Sequence, residues 1–404
     1  MSPIVEGRLR LKKGFPKMAY SVIVIGAGST GAATAHDLAL RGFRVTVVER
    51  GEVASGTSGR NHCLLHSGGR YAMRDPESAR ECIEENMILR RIMPEALELN
   101  DGLFVALDEQ DLSFKERFLA ACEECGIPAR EIPVKQALAL EPHLNPNILA
   151  AVQVPDGVFE PFRFCLSFLA TAKRNGATVL TYTEVVDFVF QGRTIAGVRV
   201  RDRRTGEERV IGGDIVVNAA GPWSGKIAAM AGVDVPVIPT AGVMISVGRR
   251  WNRMVINRLN MPGDGDIIVP QRRTAIIGTT SWRVEDPDFI PIPEDHVRLL
   301  LDRAEQFIPG YTRGGIRGIF AVARPLVGRR GVAADGRELS RTFECFDHAV
   351  DGVEGLVTIT GGKMTTARAM AEKAVDVVCA KLGLEIPCRT REVPLLSYRA
   401  FFTG

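Results

Sequence analysis

The sequence predicts an α/β fold with two sheets, one parallel and one mainly antiparallel. Three observations lead there. The chain has 404 residues, too many for one hydrophobic core. Residues 20–49 read as strand, helix, strand, a pattern that demands a parallel pair. Residues 242–282 instead alternate short apolar runs with turns, which suits a meander better than further strand–helix–strand units.

Each element has a local cause. Residues 20–25 (YSVIVI) are an apolar run, residues 29–41 place alanines and leucines at helical spacing, and residues 43–49 (FRVTVVE) return to strand. A helix is expected over 76–93, because Pro76 suits its first turn, Asp75 its cap, and Ile83, Met87 and Ile88 its apolar stripe. Residues 130–150 hold prolines and read as loop with a short helix. A helix at 162–175 stops at Asn175-Gly176. Strands follow at 177–183, 184–190 and 195–201, then a polar turn around Gly206 and one run at 209–218. Residues 294–307 form an amphipathic helix, and a buried-type strand at 355–360 runs into a long helix. Together these elements predict one domain from residues 18–92, 158–235 and 330–390, and a second from 93–157 and 236–329.

Composition narrows the function classes. Hydrophobic residues are 46% and charged residues 25%, as in a soluble globular protein, and a net charge of +3 is too small to argue for nucleic acid. Residues 1–17 form a basic leader with Arg8, Arg10, Lys12, Lys13 and Lys17; it lacks the apolar run of a signal peptide and suits a weak contact with an anionic membrane face. The 8 cysteines show no disulfide framework, so a cytoplasmic location is expected. Cys122 and Cys125 form a lone CxxC, expected as a coincidence on a surface helix rather than a metal site.

One motif carries nucleotide chemistry. Gly26, Gly28 and Gly31 follow a strand and open a helix. Gly26 permits the tight turn, Gly28 a close approach of backbone to a pyrophosphate, and Gly31 close helix–strand packing. The helix N-terminus attracts the phosphates, and Glu49, ending the second strand, stands where an acid binds a ribose hydroxyl. The segment after Glu49, RGEVASGTSGRNHCLLHSGGRYA, is rich in Gly, Ser and Thr with no helical period. It can wrap a long ligand, which favours FAD over NAD.

That segment, continued through the helix to Ile92, resembles the flavin segment of FAD-dependent glycerol-3-phosphate dehydrogenases, and most resembles the large catalytic subunit of the anaerobic bacterial enzyme. The resemblance continues through VNAAGPW (217–223), IIGTTS (276–281), ARPLV (323–327) and TITGGKMTTAR (358–368). It implies a glutathione-reductase-like, DAO-type FAD-binding domain beside a substrate domain on a mainly antiparallel sheet. It implies oxidation of sn-glycerol 3-phosphate to dihydroxyacetone phosphate, with electrons passed to a quinone or a partner subunit.

The resemblance also implies residue roles. Arg50, Thr57, Ser58, His66 and Ser67 would line FAD, with Val186 meeting the adenine through its backbone. Ala220, Gly221 and Trp223 would flank the cofactor at a strand end, and Gly361, Gly362, Lys363 and Met364 at a helix start. Arg70, Arg324, Arg341 and Lys363 would hold the anionic substrate, since a phosphomonoester suits bidentate arginines. His66, Lys363 and Arg324 would be catalytic, with His66 either taking the hydroxyl proton or only positioning the flavin.

Three departures qualify the match. Residues 241–244 (Ala241, Gly242, Val243, Met244) stand where the family often has Lys-Gly-Ser with a histidine soon after, and Ala367 stands where tyrosine is usual. The cysteine-rich iron–sulfur region of the anaerobic enzyme's large subunit is not matched, so electrons are expected to leave directly from the flavin. Two other readings stay open: a related flavoenzyme acting on another polyol phosphate, a 2-hydroxy acid or an amine, and a non-catalytic FAD-binding subunit.

Overall fold

The computed structural model describes residues 20–328 and 341–403. The basic leader at 1–17 and the first residues of the expected segment 330–390 lie outside them. Among the described residues no helix is long and apolar enough to cross a membrane.

The parallel sheet runs in the order Phe343–Asp347, Leu356–Gly361, Ile215–Asn218, Ser21–Ile25, Arg44–Val48, Thr178–Leu180. All pairs are parallel except the first, which is antiparallel. The strand period of two decides what each face buries. Val22 and Val24 face the helices Ser29–Leu40, Pro161–Arg174 and Ala367–Lys381, while Ile23 and Ile25 face the other way. There they meet an antiparallel sheet of Thr183–Gln191, Thr194–Asp202 and Glu208–Gly212, through Val185, Phe188 and Val198. The result is three layers, helices on one side and a small sheet on the other.

The run read as one strand at 209–218 is two. Glu208–Gly212 belongs to the small sheet, and Ile215–Asn218 crosses into the parallel sheet. The break falls at Gly213, where a Cβ would come 2.9 Å from the Ile23 side chain, and at Asp214, whose carboxylate accepts the Ser21 N–H at 2.6 Å. The expected helices are present as Pro76–Ile92, capped by Asp75 on the Ser78 N–H, and as Glu294–Phe307. A short helix, Val134–Leu140, occupies the region read as loop with helix.

The second sheet has nine strands. Val237–Val247 pairs along one edge with Ile316–Val327 and along the other with Thr274–Gly278 and Trp282–Arg283. The sheet continues through Ile267–Gln271, Val255–Arg258, Gly102–Ala106, Ala150–Val154 and Arg130–Ile132. Every pairing is antiparallel except that of Val255–Arg258 with Gly102–Ala106. One face packs Val243, Ile245 and Val247 under helix Glu294–Phe307; the other turns Met244, Val269 and Val322 toward Cys63 and Leu64.

Cys122 and Cys125 are not surface residues. Helix Glu109–Glu124 turns Cys122 into an apolar cluster with Phe114, Phe118 and Phe104, and burial raises its thiol to about 12. The buried pair Arg368–Glu85, at 2.6 Å, joins helix Ala367–Lys381 to helix Pro76–Ile92, and Arg368 also donates to Thr390 in the C-terminal tail.

His36 is wholly buried against Phe168, with no hydrogen-bond partner for either ring nitrogen among the described residues. Burial lowers it from 6.5 to about 3. Between those values the unfolded chain binds a proton that the native chain refuses, so stability falls as pH drops below 6.5. At pH 5 this one group costs roughly 2 kcal/mol. His36→Leu is expected to make the acid limb of thermal unfolding shallower and to raise the midpoint at pH 5 more than at pH 7. An identical change at both pH values would show that His36 is not buried neutral.

Candidate active site

A cavity of about 1500 Å³ lies between the carboxyl ends of the parallel strands and the nine-stranded sheet. Its first end is built by the glycine turn. Gly26 has φ +104°, and a Cβ there would sit 2.8 Å from Ala219 O. A Cβ on Gly31 would lie 1.9 Å from Gly26 O, so Gly31 sets the helix–strand distance and stays out of the cavity. Helix Ser29–Leu40 begins without a side-chain cap, and no acidic residue sits in its first turn. Gly28, Ser29 and Thr30 at its start line the cavity, and the Ser29 N–H donates to Ser58 Oγ. Glu49 is aimed by two backbone donors, Ala27 N–H at 2.9 Å and Gly51 N–H at 2.8 Å. This set fits an adenine dinucleotide: an open helix N-terminus for the pyrophosphate and a carboxylate for the ribose.

The middle of the cavity is lined by Thr57, Ser58, Ala220, Gly221 and Trp223, with Arg50 stacked 4.3 Å over the Trp223 ring and paired to Asp288 at 2.6 Å. Thr57 Oγ1 donates to Ala323 O, tying this loop to the nine-stranded sheet. Gly361, Gly362, Lys363 and Met364 close the far side, where Leu356–Gly361 ends.

Two expected contacts fall elsewhere. Val186 does not line the cavity; Val185 does. The pairing of Thr183–Gln191 with its neighbour shifts between Val185 and Asp187, so the residue facing the cleft moves by one. Ser67 is fully buried behind the wall, its N–H donating to Asp156 Oδ1 at 2.7 Å.

The deep end gathers the remaining expected residues: His66, Arg70, Arg324, Arg341 and Lys363. His66 is held by its backbone, the N–H on Thr365 Oγ1 and the carbonyl on Asn86 Nδ2. Its ring lies 5.2 Å from Tyr71, and the Lys363 ammonium sits 5.0 Å over the same Tyr71 ring. Lys363 also donates to Arg341 O at 2.7 Å and Ser78 Oγ at 3.2 Å. Burial, and then His62, Lys363, Arg70 and Arg341, hold His66 well below its ordinary value, so the ring is neutral. Burial pushes the Tyr71 phenol up to about 12.

The three arginines differ in what they have left to offer. Arg324 donates to Ala241 O, Thr279 Oγ1 and Thr280 O, within its own sheet. Residue 242 is a glycine packed under it, where a Cβ would stand 2.4 Å from Arg324 Nη2 and 2.6 Å from Thr280 O. Arg70 has a distant ion pair with Asp266, 3.7 Å. The Arg341 guanidinium has no hydrogen-bond acceptor among the described residues; burial lowers its pKa, with Tyr71 and Asp75 nearby opposing. Of residues 241–244 only Met244 lines the cavity, and Ala367 is buried behind it.

The sequence reading missed Tyr71, Thr279, Thr280 and His62, all on the cavity wall. Tyr71 and His62 lie inside the segment already singled out. Thr279 and Thr280 carry no signal until Arg324 is seen to reach them.

A model of the FAD-dependent oxidoreductases (DAO) matches residues 21–376. The chain belongs to that family. Its cofactor is accordingly FAD, and it is a flavoprotein oxidoreductase. The chain is 46% identical over 377 residues to one subunit of the anaerobic glycerol-3-phosphate dehydrogenase of Escherichia coli (strain K12), covering 93% of this chain and 69% of that protein. It is 43% identical over 390 residues to the corresponding subunit of the Haloferax volcanii enzyme, covering 94% and 67%. Among solved structures, the glycerol-3-phosphate dehydrogenase of Bacillus halodurans complexed with FAD superposes with a TM-score of 0.72 at 26% identity, over 93% of this chain and 67% of that one. The L-α-glycerophosphate oxidase of Mycoplasma pneumoniae shares the fold, with a TM-score of 0.73 at 19% identity over 92% and 96% of the two chains.

Proposed function

We propose that this FAD-dependent oxidoreductase oxidises sn-glycerol 3-phosphate to dihydroxyacetone phosphate. The observation that carries the reading is the pair Arg70 and Arg341, whose guanidinium groups keep donors for an anion beside Lys363 and a neutral His66. The relatives' names agree with it. When bound, FAD supplies the two-electron acceptor. The chain's own residues do the rest. Arg70 and Arg341 grip the phosphate with planar forks. Arg324, anchored on Thr279 and Thr280, stiffens the wall behind them. His66, unprotonated, takes the proton of the substrate hydroxyl on its cavity-facing nitrogen, and the substrate's negative charge offsets the surrounding cations that hold its proton affinity down. Lys363 supplies positive charge where negative charge accumulates. These relatives are each named as one component of a larger enzyme, which supports onward transfer to a partner subunit, and from there or directly to a quinone.

The test is anaerobic bleaching of the flavin spectrum by a panel of alcohols and their phosphates. Glycerol 3-phosphate should bleach it and glycerol should not; equal reaction of both would sink the phosphate assignment. Arg341→Lys should raise KM for glycerol 3-phosphate roughly 10- to 100-fold, the loss of one charged hydrogen bond, with the resting flavin spectrum unchanged. An unaltered KM would remove Arg341 from the substrate.

A further inference from the structure

The turn that leads into the LLHSGG segment is tied down more tightly than a cofactor loop requires. Asn61 Oδ1 accepts the Cys63 N–H at 2.6 Å, and Asn61 Nδ2 donates to Ser58 O at 2.7 Å. Cys63, between them and Leu64, sits at φ +67°, a left-handed conformation that a residue with a Cβ holds only when its surroundings impose it. Those surroundings are the buried strand Leu64–Leu65 on Gly157–Phe159, and the Cys63 side chain under Gln271. A residue bracketed in this way has little freedom. That residue is His62.

His62 lines the cavity, its ring centroid 5.7 Å from that of His66. Its Nδ1 is the acceptor of the Leu64 N–H at 3.3 Å. A neutral imidazole whose Nδ1 accepts carries its proton on Nε2. The ring is neutral because burial, and then the charges of Arg324 and Arg70, exclude the imidazolium, lowering it to about 3. The backbone thus selects one tautomer and leaves Nε2–H for something other than the chain's own main chain.

We infer that His62 is a further substrate-binding residue, donating its Nε2–H to a phosphate oxygen of the substrate on the side of Arg70 and Arg324. The inference rests on the proposed phosphate-bearing substrate. Its chemical logic is local. Arg324 faces this region but has turned donors onto Ala241, Thr279 and Thr280. A phosphate has three acceptor oxygens, and the two forks of Arg70 and Arg341 do not exhaust them. A further cation here would repel two arginines, whereas a neutral N–H adds a hydrogen bond without that cost.

The experiment uses the FAD-loaded protein and two readouts: KM and kcat for glycerol 3-phosphate, and the Kd of inorganic phosphate, followed by perturbation of the flavin absorbance. His62→Leu removes the donor; His62→Gln keeps a side-chain N–H at similar reach. The Leu variant is expected to raise KM and phosphate Kd together by about ten-fold, the usual effect of one hydrogen bond to a charged group, with kcat changed less than about three-fold. Gln should restore both. His62→Ser, too short to reach the substrate yet able to accept the Leu64 N–H, should behave as Leu does, and covers the case in which Leu fails to fold. Unchanged phosphate Kd in the Leu and Ser variants overturns the inference, as does a loss confined to kcat. If the wild type binds phosphate but is not reduced by glycerol 3-phosphate, the substrate assignment falls while the phosphate Kd still decides His62.

Discussion

Gly28→Val protein should leave purification without its yellow colour. The helix opening at Ser29 has no side-chain cap, and its N–H groups are the proposed anchor for the pyrophosphate. A Cβ on Gly28 already falls 3.0 Å from Ser58 Oγ, on the side from which the ligand must approach, and the two methyls of valine extend further into that space. Forcing atoms into a filled site costs about 1–3 kcal/mol or more, so FAD affinity should fall by roughly 100-fold. The control is Gly31→Ala. Its Cβ would be 1.9 Å from Gly26 O, a backbone atom with no freedom to move, so this variant should lose both cofactor and thermal stability. Absorbance at the flavin band, read beside the melting temperature, separates the two. Gly28→Val with a full complement of FAD would show that the helix N-terminus does not carry the pyrophosphate.

The second large effect should divide His66 from Lys363. His66→Ala removes the proposed proton acceptor and should slow anaerobic reduction of the flavin by glycerol 3-phosphate at least ~100-fold, with little change in reduction potential. Lys363→Met removes the positive charge proposed to stabilise the reduced cofactor, so rate and potential should fall together. The same variant leaves the carbonyl of Arg341 without its 2.7 Å donor, so KM should rise as well. Stopped-flow traces with a parallel potential titration make the comparison. A wild-type rate in His66→Ala across the pH range would make His66 structural and pass the proton to another acceptor.

What could be read from the residues alone follows periodicity and local chemistry. Val22 and Val24 against Ile23 and Ile25 mark a strand buried on both faces, and Asp75-Pro76 and Asn175-Gly176 mark helix ends, so these elements appear where expected. Two outcomes depend on tertiary contact and left no local trace. The run at 209–218 divides because Gly213 must pass the Ile23 side chain, a residue far away in sequence. Val185 rather than Val186 reaches the cleft because of a pairing irregularity with a neighbouring strand. The site behaved likewise. His66, Arg70, Arg341 and Lys363 do converge, as the family resemblance implied. That Arg324 is engaged by Thr279 and Thr280, and that Cys63 adopts a left-handed turn that aims His62, are facts of the folded chain alone.

The parallel sheet has a consequence for biogenesis. Its central strand, Ser21–Ile25, is flanked by Arg44–Val48, made almost at once, and by Ile215–Asn218, made much later; Leu356–Gly361 docks beyond that. The glycine turn that opens the cleft and the Gly361–Met364 segment that closes it come from opposite ends of the described chain. At 5–20 residues per second, Asn218 follows Ile25 by roughly 10–40 s and Lys363 follows it by roughly 17–68 s. Until Ile215–Asn218 emerges, the chain exposes the apolar edge of Ser21–Ile25 with no partner on one side, a liability for aggregation that chaperones would have to cover. Flavin capture is therefore a late step, and nascent chains halted before Leu356 should emerge colourless however much FAD surrounds them.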